Sequence, residues 1–324
     1  MSEPRPRACC VCGSASCAEL LTARERMFGL GGAFPYVQCR DCGSLQIAAI
    51  PPDLGRYYTD GYYSFQAGAA EAGGFKRAVR RLRDRHALFG SGGALGRWLA
   101  ARFPYPELAG IGRVRGLTLD TRILDVGCGA GCLLRALHGH GFTSLAGVDP
   151  FIPADLDAAP GVRVLKRHVH ELEGLWDLVM FHHSLEHVPD PTATLRHCLA
   201  RLAPGGQMLI RVPIVPSAAF ERYRECWVGL DAPRHLFIPS LAGIERMARA
   251  LGLRVGPVTH DSTELQFWGS ERYLQDLPLA PRAEGGPQRD AFPARRLAAW
   301  RREARRLNEA GRGDQAAIVL MSPP

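Results

Sequence analysis

The chain has 324 residues, 46% of them hydrophobic, which is enough for one large α/β domain with a small additional module. The formal net charge is +8, yet all but two of the 40 basic side chains (Lys76 and Lys166) are arginine. With the abundant alanine and glycine, that skew reads as genome composition rather than as a nucleic-acid footprint. No run of about 18 apolar residues occurs and MSEPRPRACC lacks an apolar signal core, so a soluble, cytoplasmic protein is expected, with no membrane partner.

In chain order, residues 1–50 carry two matching knuckles, Cys9-Cys10-Val11-Cys12-Gly13 and Cys39-Arg40-Asp41-Cys42-Gly43, with 26 residues between Cys12 and Cys39. Ten cysteines in a chain without an export signal point to reduced thiols or metal ligation. A C-x-x-C-G turn presents two thiolates together, so Cys9, Cys12, Cys39 and Cys42 make a tetrahedral Zn²⁺ site of the ribbon type. Redox disulfides are the competing reading. Four sulfur ligands leave no open position, so the ion is expected to fold the module rather than do chemistry. Cys10 and Cys17 are spare.

Residues 51–118 read as a tyrosine-rich lid followed by a helical linker. Tyr57, Tyr58, Tyr62, Tyr63 and Phe65 crowd a polar stretch, which suits a lid or substrate wall, or a surface loop packed on the main domain. Phe75 to about Phe103 predicts one or two amphipathic helices, interrupted at Gly90-Ser91-Gly92-Gly93.

From residue 119 to 324 strands and helices alternate. Strands are expected near 122–127, 143–148, 162–166, 176–181, 207–212, 252–259 and 315–321, with insertions at about 213–239 and 262–312. The most informative stretch is 122–150. Ile123, Leu124 and Val126 flank the acid Asp125, and Gly127-Cys128-Gly129-Ala130-Gly131 follows. A helix through Leu133, Leu134 and Leu137 leads to a second strand ending at Asp149-Pro150. Strand, glycine turn, helix and strand with a terminal acid form a nucleoside-binding βαβ unit, and Asp149 can accept both ribose hydroxyls. The third glycine of a dinucleotide fingerprint would fall at Cys132, and a pyrophosphate would sit badly beside Asp125. A cationic sulfonium cofactor with a free ammonium group is favoured there.

Trp176 to Phe181 then reads as a buried strand, followed by His182-His183-Ser184-Leu185-Glu186-His187-Val188-Pro189-Asp190-Pro191. A helix through Leu195, Leu199 and Leu202 is expected to close at Ala203-Pro204-Gly205-Gly206. Together with 122–150, this segment resembles the class I S-adenosylmethionine (SAM) methyltransferases, over about residues 120–260. The resemblance implies a Rossmann-like α/β fold with a seven-stranded sheet, its last strand antiparallel between the fifth and sixth. It implies SAM as cofactor, bound by Asp125, Gly127, Cys128, Gly129, Gly131, Asp149, Pro150, Phe181, His182 and His183. Many relatives read adenine with an acid or amide after the third strand. Here Arg167-His168-Val169-His170-Glu171 stands in that place, and the adenine reader is unassigned.

The insertion Ala219 to Leu236 is dense in ionisable and aromatic groups, and Pro233 fixes a turn presenting Arg234 and His235. It resembles the W-x-GLDAPRHL segment of zinc-ribbon methyltransferases associated with sugar, polysaccharide and natural-product modification. His235 is the expected general base, being the residue type titrating nearest neutrality, with Tyr223 second and His183 a further candidate. The cluster His182, His183, Glu186 and His187 suits acid–base work or a metal, while the resemblance implies that it lines the cofactor pocket. The arginines of 289–312, threaded with Leu297, Trp300 and Leu307, read as an amphipathic helix with a solvated basic face. The expected function is methyl transfer from SAM to a small molecule: a nucleotide-linked sugar, glycoside or other natural-product intermediate. An RNA methyltransferase gripping phosphate with the zinc ribbon and basic helix is one alternative, and a non-catalytic zinc-bearing interaction protein is another.

Overall fold

The computed structural model describes residues 8–58, 74–280 and 292–323. β1 (Cys17–Arg24), β2 (Ala33–Cys39) and β3 (Leu45–Ile47) form an antiparallel N-terminal sheet. Next come α1 (Gly74–Phe89) and α2 (Gly93–Arg102), parted at the glycine run, and α3 (Pro106–Ile111). β4 (Ile123–Val126), α4 (Cys132–Gly139), β5 (Leu145–Val148), β6 (Leu156–Ala159), β7 (Val162–Leu165), β8 (Trp176–His182), α5 (Pro191–Leu199) and β9 (Leu202–Pro213) follow. The chain ends with α6 (Ala218–Tyr223), β10 (Phe237–Ile238), α7 (Leu241–Ala250), β11 (Arg254–His260), α8 (Leu265–Leu274), α9 (Ala294–Glu309) and β12 (Gln315–Met321).

The main sheet runs β11-β12-β9-β8-β4-β5-β7-β6. This is the Rossmann-like class I methyltransferase arrangement, with β12 antiparallel between β9 and β11. Two details differ from expectation. The sheet has an eighth strand, because β6 and β7 form a short antiparallel pair at its edge. And α5 stops at Leu199, while Pro204-Gly205-Gly206 lies inside β9 rather than closing the helix. The pairing of β8 with β9 absorbs that turn as an irregularity: Trp176 faces Leu202, but Leu178 already faces Gln207.

Both faces of the sheet are covered, and alternate residues along each strand feed different cores. Leu124, Val126, Val179 and Phe181 pack with Leu195 of α5 and Ile244 of α7. Ile123, Leu178 and Met180 pack with Ile111 of α3 and Leu137 of α4. A third core joins the N-terminal sheet to the insertions, gathering Tyr36 and Tyr57 with Phe220, Trp227, Phe267 and Trp300. β10 pairs with β3, so the first insertion supplies the fourth strand of the N-terminal sheet. α9 buries Leu297, Trp300 and Ala304, and Arg296 and Arg301 pair with Glu271 and Glu264.

A buried ion network pins this junction. Arg234 contacts Glu25 at 3.0 Å and Asp231 at 2.6 Å, and donates to the Tyr57 carbonyl at 3.0 Å. Removing the cation leaves two carboxylates without their counter-charge in a dry interior. Arg234→Met is therefore expected to destabilise the protein by about 3–5 kcal/mol, read by urea unfolding. An unchanged midpoint would show that the network carries no net stability. Among the described residues, no helix is long and apolar enough to cross a membrane.

Candidate active site and cysteine cluster

The carboxyl ends of β4, β5 and β8 open on one cleft, where the strand order reverses. Val126 and Gly127 line it from the first turn, Asp149, Pro150 and Phe151 from the second, and Phe181, His183 and Ser184 from the third. Gly127 has a φ of 72°, and a β-carbon there would fall 2.5 Å from that of Ser184, so the turn requires glycine. Asp149 Oδ2 accepts from the Gly129 N–H at 2.9 Å and Oδ1 from the Phe151 N–H at 2.8 Å. These bonds hold the carboxylate still and leave each oxygen a second lone pair, which suits two neighbouring hydroxyls. Burial raises the Asp149 pKa, and the two N–H bonds pull the other way.

Asp125, the residue before Val126 in β4, is buried, and its Oδ1 finds no hydrogen-bond partner among the described residues. Burial, and then the charge of Asp149, push its pKa up to about 8. A buried acceptor lacking a donor, beside a glycine turn, fits a cationic cofactor bearing an ammonium group, and fits a diphosphate badly.

His168, Val169 and His170 also line the cleft, so the segment without an assigned role belongs to the site. The His168 and His170 rings stack with centroids 5.3 Å apart, and His197 lies 5.7 Å from His170. They offer aromatic faces and ring nitrogens to a purine. The H-V-H spacing after the third strand was the available sequence signal. Tyr58 forms a further wall, stacked on Phe151 at 6.1 Å with its hydroxyl 3.0 Å from His187 Nδ1. Tyr57 is buried in the third core, and Tyr62, Tyr63 and Phe65 lie outside the described residues.

Five expected cofactor residues are not among those lining the cleft: Asp125, Cys128, Gly129, Gly131 and His182. Gly131 sits against Ala158 and Val164 and lets α4 approach the sheet. The Cys128 thiol lies over Gly147. Both His182 ring nitrogens are buried without a partner, and burial followed by the Arg211 charge holds its pKa well below the usual value.

A second cavity meets the first at His183, which lines both. Its walls include Met27 from the N-terminal segment, Arg211, Gln266, Trp268 and Tyr273. His183 has a φ of 52°, a strained conformation for a non-glycine residue and one that clusters at functional sites. Its Nδ1 lies 3.1 Å from Glu186 Oε1. Glu186 is buried; burial alone would raise its pKa, but the hydrogen bond from His183 and the nearby imidazoles bring it down to about 2. His235 also lines the second cavity, from the far side of Glu186. The Tyr223 hydroxyl donates to Glu271 at 3.0 Å, and the residue lines neither cavity.

The four cysteines of the knuckles converge. Cys9 and Cys42 have their sulfurs 3.7 Å apart, Cys12 and Cys39 theirs 3.6 Å apart, and all four sulfurs lie within 4.8 Å of one another. Tetrahedral zinc–thiolate bonds of about 2.3 Å give sulfur–sulfur edges of about 3.8 Å, so the cluster fits that ion. The two knuckles are built alike: Gly13 N–H donates to Cys9 O and Gly43 N–H to Cys39 O, each at 2.8 Å. All four are free thiols, which leaves them available as ligands.

Fold and cleft together define a nucleoside-cofactor transferase of the class I methyltransferase type. The profile of a family described as a methyltransferase domain matches residues 76–257, more than half of the chain. The chain belongs to this family, and that region is a SAM-dependent methyltransferase domain. It is 33% identical to a ubiquinone biosynthesis O-methyltransferase of Pseudomonas paraeruginosa, over 35% of this chain and 56% of the relative. It is 35% identical to the enzyme of the same name from Vibrio parahaemolyticus, over 27% of this chain and 41% of the relative. The chain thus spans about half the length of the curated relatives it matches. Among solved structures, a Burkholderia thailandensis 1,6-didemethyltoxoflavin-N1-methyltransferase aligns with a TM-score of 0.40 at 17% identity, over 80% of this chain and 94% of that one.

Proposed function

We propose that the chain moves the methyl group of SAM onto a small-molecule acceptor held in the second cavity: a nucleotide-linked sugar, a glycoside or another natural-product intermediate. The observation that carries this reading is His183 at the wall common to both cavities. The bound cofactor supplies a methyl carbon already activated by its sulfonium, so the protein's share is alignment, exclusion of water and removal of the acceptor's proton. Asp149 would hold the ribose, the buried Asp125 would balance the ammonium charge, and His168 and His170 would offer their rings to the adenine. His183, oriented by Glu186, accepts the acceptor's proton. Arg211 and Gln266 beside Trp268 and Tyr273 suit a hydroxyl-rich molecule, with hydrogen bonds at its edges and rings against its faces. Zinc at Cys9, Cys12, Cys39 and Cys42 holds the module that sends Met27 and Tyr58 to the two cavities. The pairing of Arg296 and Arg301 with glutamates on α8 and at its start supports the small-molecule reading over an RNA one.

Incubation with methyl-labelled SAM and a panel of nucleotide-linked deoxysugars and glycosides should label one acceptor class. His183→Gln should slow that transfer roughly 10²–10⁴-fold while cofactor affinity is retained. Unchanged turnover would remove His183 from its role, and label found in RNA instead would replace the acceptor.

A further inference from the structure

Glu186, His187 and His235 each offer one ligand atom, and the three atoms lie within 4.8 Å of one another. Glu186 comes from the segment after β8 and His235 from the first insertion, so the fold brings them together across 49 residues of sequence (positions 186 and 235). His235 Nδ1 lies 2.8 Å from the Gly229 carbonyl, and His187 Nδ1 lies 3.0 Å from the Arg234 carbonyl. His187 Nδ1 also faces the Tyr58 hydroxyl at 3.0 Å, whereas the Gly229 carbonyl can only accept, so in neutral His235 Nδ1 carries the proton and Nε2 is the basic nitrogen. That is how ligating histidines are oriented, by a second-shell bond from the other ring nitrogen.

Without an ion, Glu186 is incompletely satisfied. His235 Nε2 stands 3.8 Å from Glu186 Oε1, too far for a hydrogen bond, and Glu186 Oε2 has no hydrogen-bond partner although the residue is wholly buried. Two acceptors facing one another at that separation repel, yet one ion bonded to both at about 2.1 Å would bridge them with an opened angle of about 130°. We infer that Glu186, His187 and His235 form a second metal site, which takes a divalent transition ion through two imidazoles and one carboxylate. Such a triad leaves coordination positions open. His187 lines the cofactor cleft and His235 the second cavity, so the ion sits at the partition between them. An acceptor oxygen reaching an open position loses its proton more readily, and His183 stands ready to take it. The site stands by itself; only this task for the ion rests on the proposed methyl transfer.

The test uses the full chain loaded with one equivalent of zinc and dialysed against Co²⁺, with zinc and cobalt counted separately. We expect two ions per chain in total. His235→Ala should weaken the second ion at least about tenfold, and His235→Asp, which restores a ligand, should recover part of that loss. Binding of S-adenosylhomocysteine by each variant checks that it is folded and reports separately on the cofactor site. One ion per chain in the wild type, or equal affinity in wild type and both variants, would overturn the inference. Retained binding of the second ion with no methyl transfer to any small molecule would instead count against the proposed acceptor class alone.

Discussion

Cys39→Ser is expected to strip the ion from the knuckles, lower the melting temperature by at least about 10 °C, and abolish acceptor turnover while cofactor binding survives in part. Structural zinc sites release about 10–16 kcal/mol of apparent binding free energy in isolated fingers. A loss of even several kcal/mol translates to about 2–4 °C per kcal/mol in a domain of this size. The damage should not stay within the knuckles. Phe28, Tyr36 and Tyr57 share a core with Trp227, Phe267 and Trp300, and β3 is paired with β10. Loosening the N-terminal sheet therefore loosens the insertion that carries Arg234 and His235, and with it the wall of the second cavity. The cofactor cleft is built chiefly from β4, β5 and β8, whose Val126, Val148 and Phe181 share a core with Cys9, Val11, Cys39 and Cys42, so cofactor binding is weakened but not abolished. Elemental analysis, melting and calorimetry with S-adenosylhomocysteine separate the two effects. A Cys39→Ser protein with full metal content and an unchanged melting point would contradict the account of the cluster.

Cofactor affinity should rise with pH up to about 8, with release of a proton on binding, and Asp125→Asn should abolish both effects. The cause is the buried carboxyl of Asp125, whose pKa is raised from 3.8 to about 8 by burial and by Asp149. Near neutrality it is mostly protonated in the free protein, and a cationic ligand draws it toward the charged form. The sign for stability follows from the same shift. Between pH 3.8 and about 8 the folded chain holds a proton that the unfolded chain has lost, so the ligand-free protein becomes less stable as pH rises through that window. The contribution is full below the lower value and gone above the upper one, on the order of a few kcal/mol. Asp125→Asn should flatten that decline and weaken the cofactor at pH 8. Calorimetry in buffers of different ionisation enthalpy counts the proton. A count of zero at pH 7 in the wild type would show that Asp125 is already charged.

Much of this was legible in the chain. The pattern Ile123-Leu124-Asp125-Val126 with its glycine turn and Asp149 located the first half of the cleft, because strand alternation and turn chemistry are local properties. The knuckles were legible for the same reason, each being a single tight turn. The helices on either side of Gly90-Ser91-Gly92-Gly93 fall where the breaker residues place them. What escaped was set by distance in sequence. Pro204-Gly205-Gly206 reads locally as a helix stop, but pairing with β8 draws it into β9. Nothing local to Tyr223 shows that its hydroxyl donates to Glu271, 48 residues away in the chain. Nothing local shows that two cavities meet at His183, or that Glu186 Oε1 lies 3.1 Å from His183 Nδ1 and 3.8 Å from His235 Nε2. The fusion of the N-terminal sheet with the insertions likewise depends on a two-residue strand, Phe237–Ile238, too short to announce itself.

The central claim is that the cleft over Gly127 holds a cationic nucleoside whose sugar is grasped by Asp149. The most direct measurement is calorimetric titration of the zinc-loaded chain, and of Asp149→Ala, with SAM. The account predicts one molecule bound per chain and a loss of affinity in Asp149→Ala severe enough to remove the heat signal. Equal binding by both proteins, or no binding by the folded wild type, would contradict it.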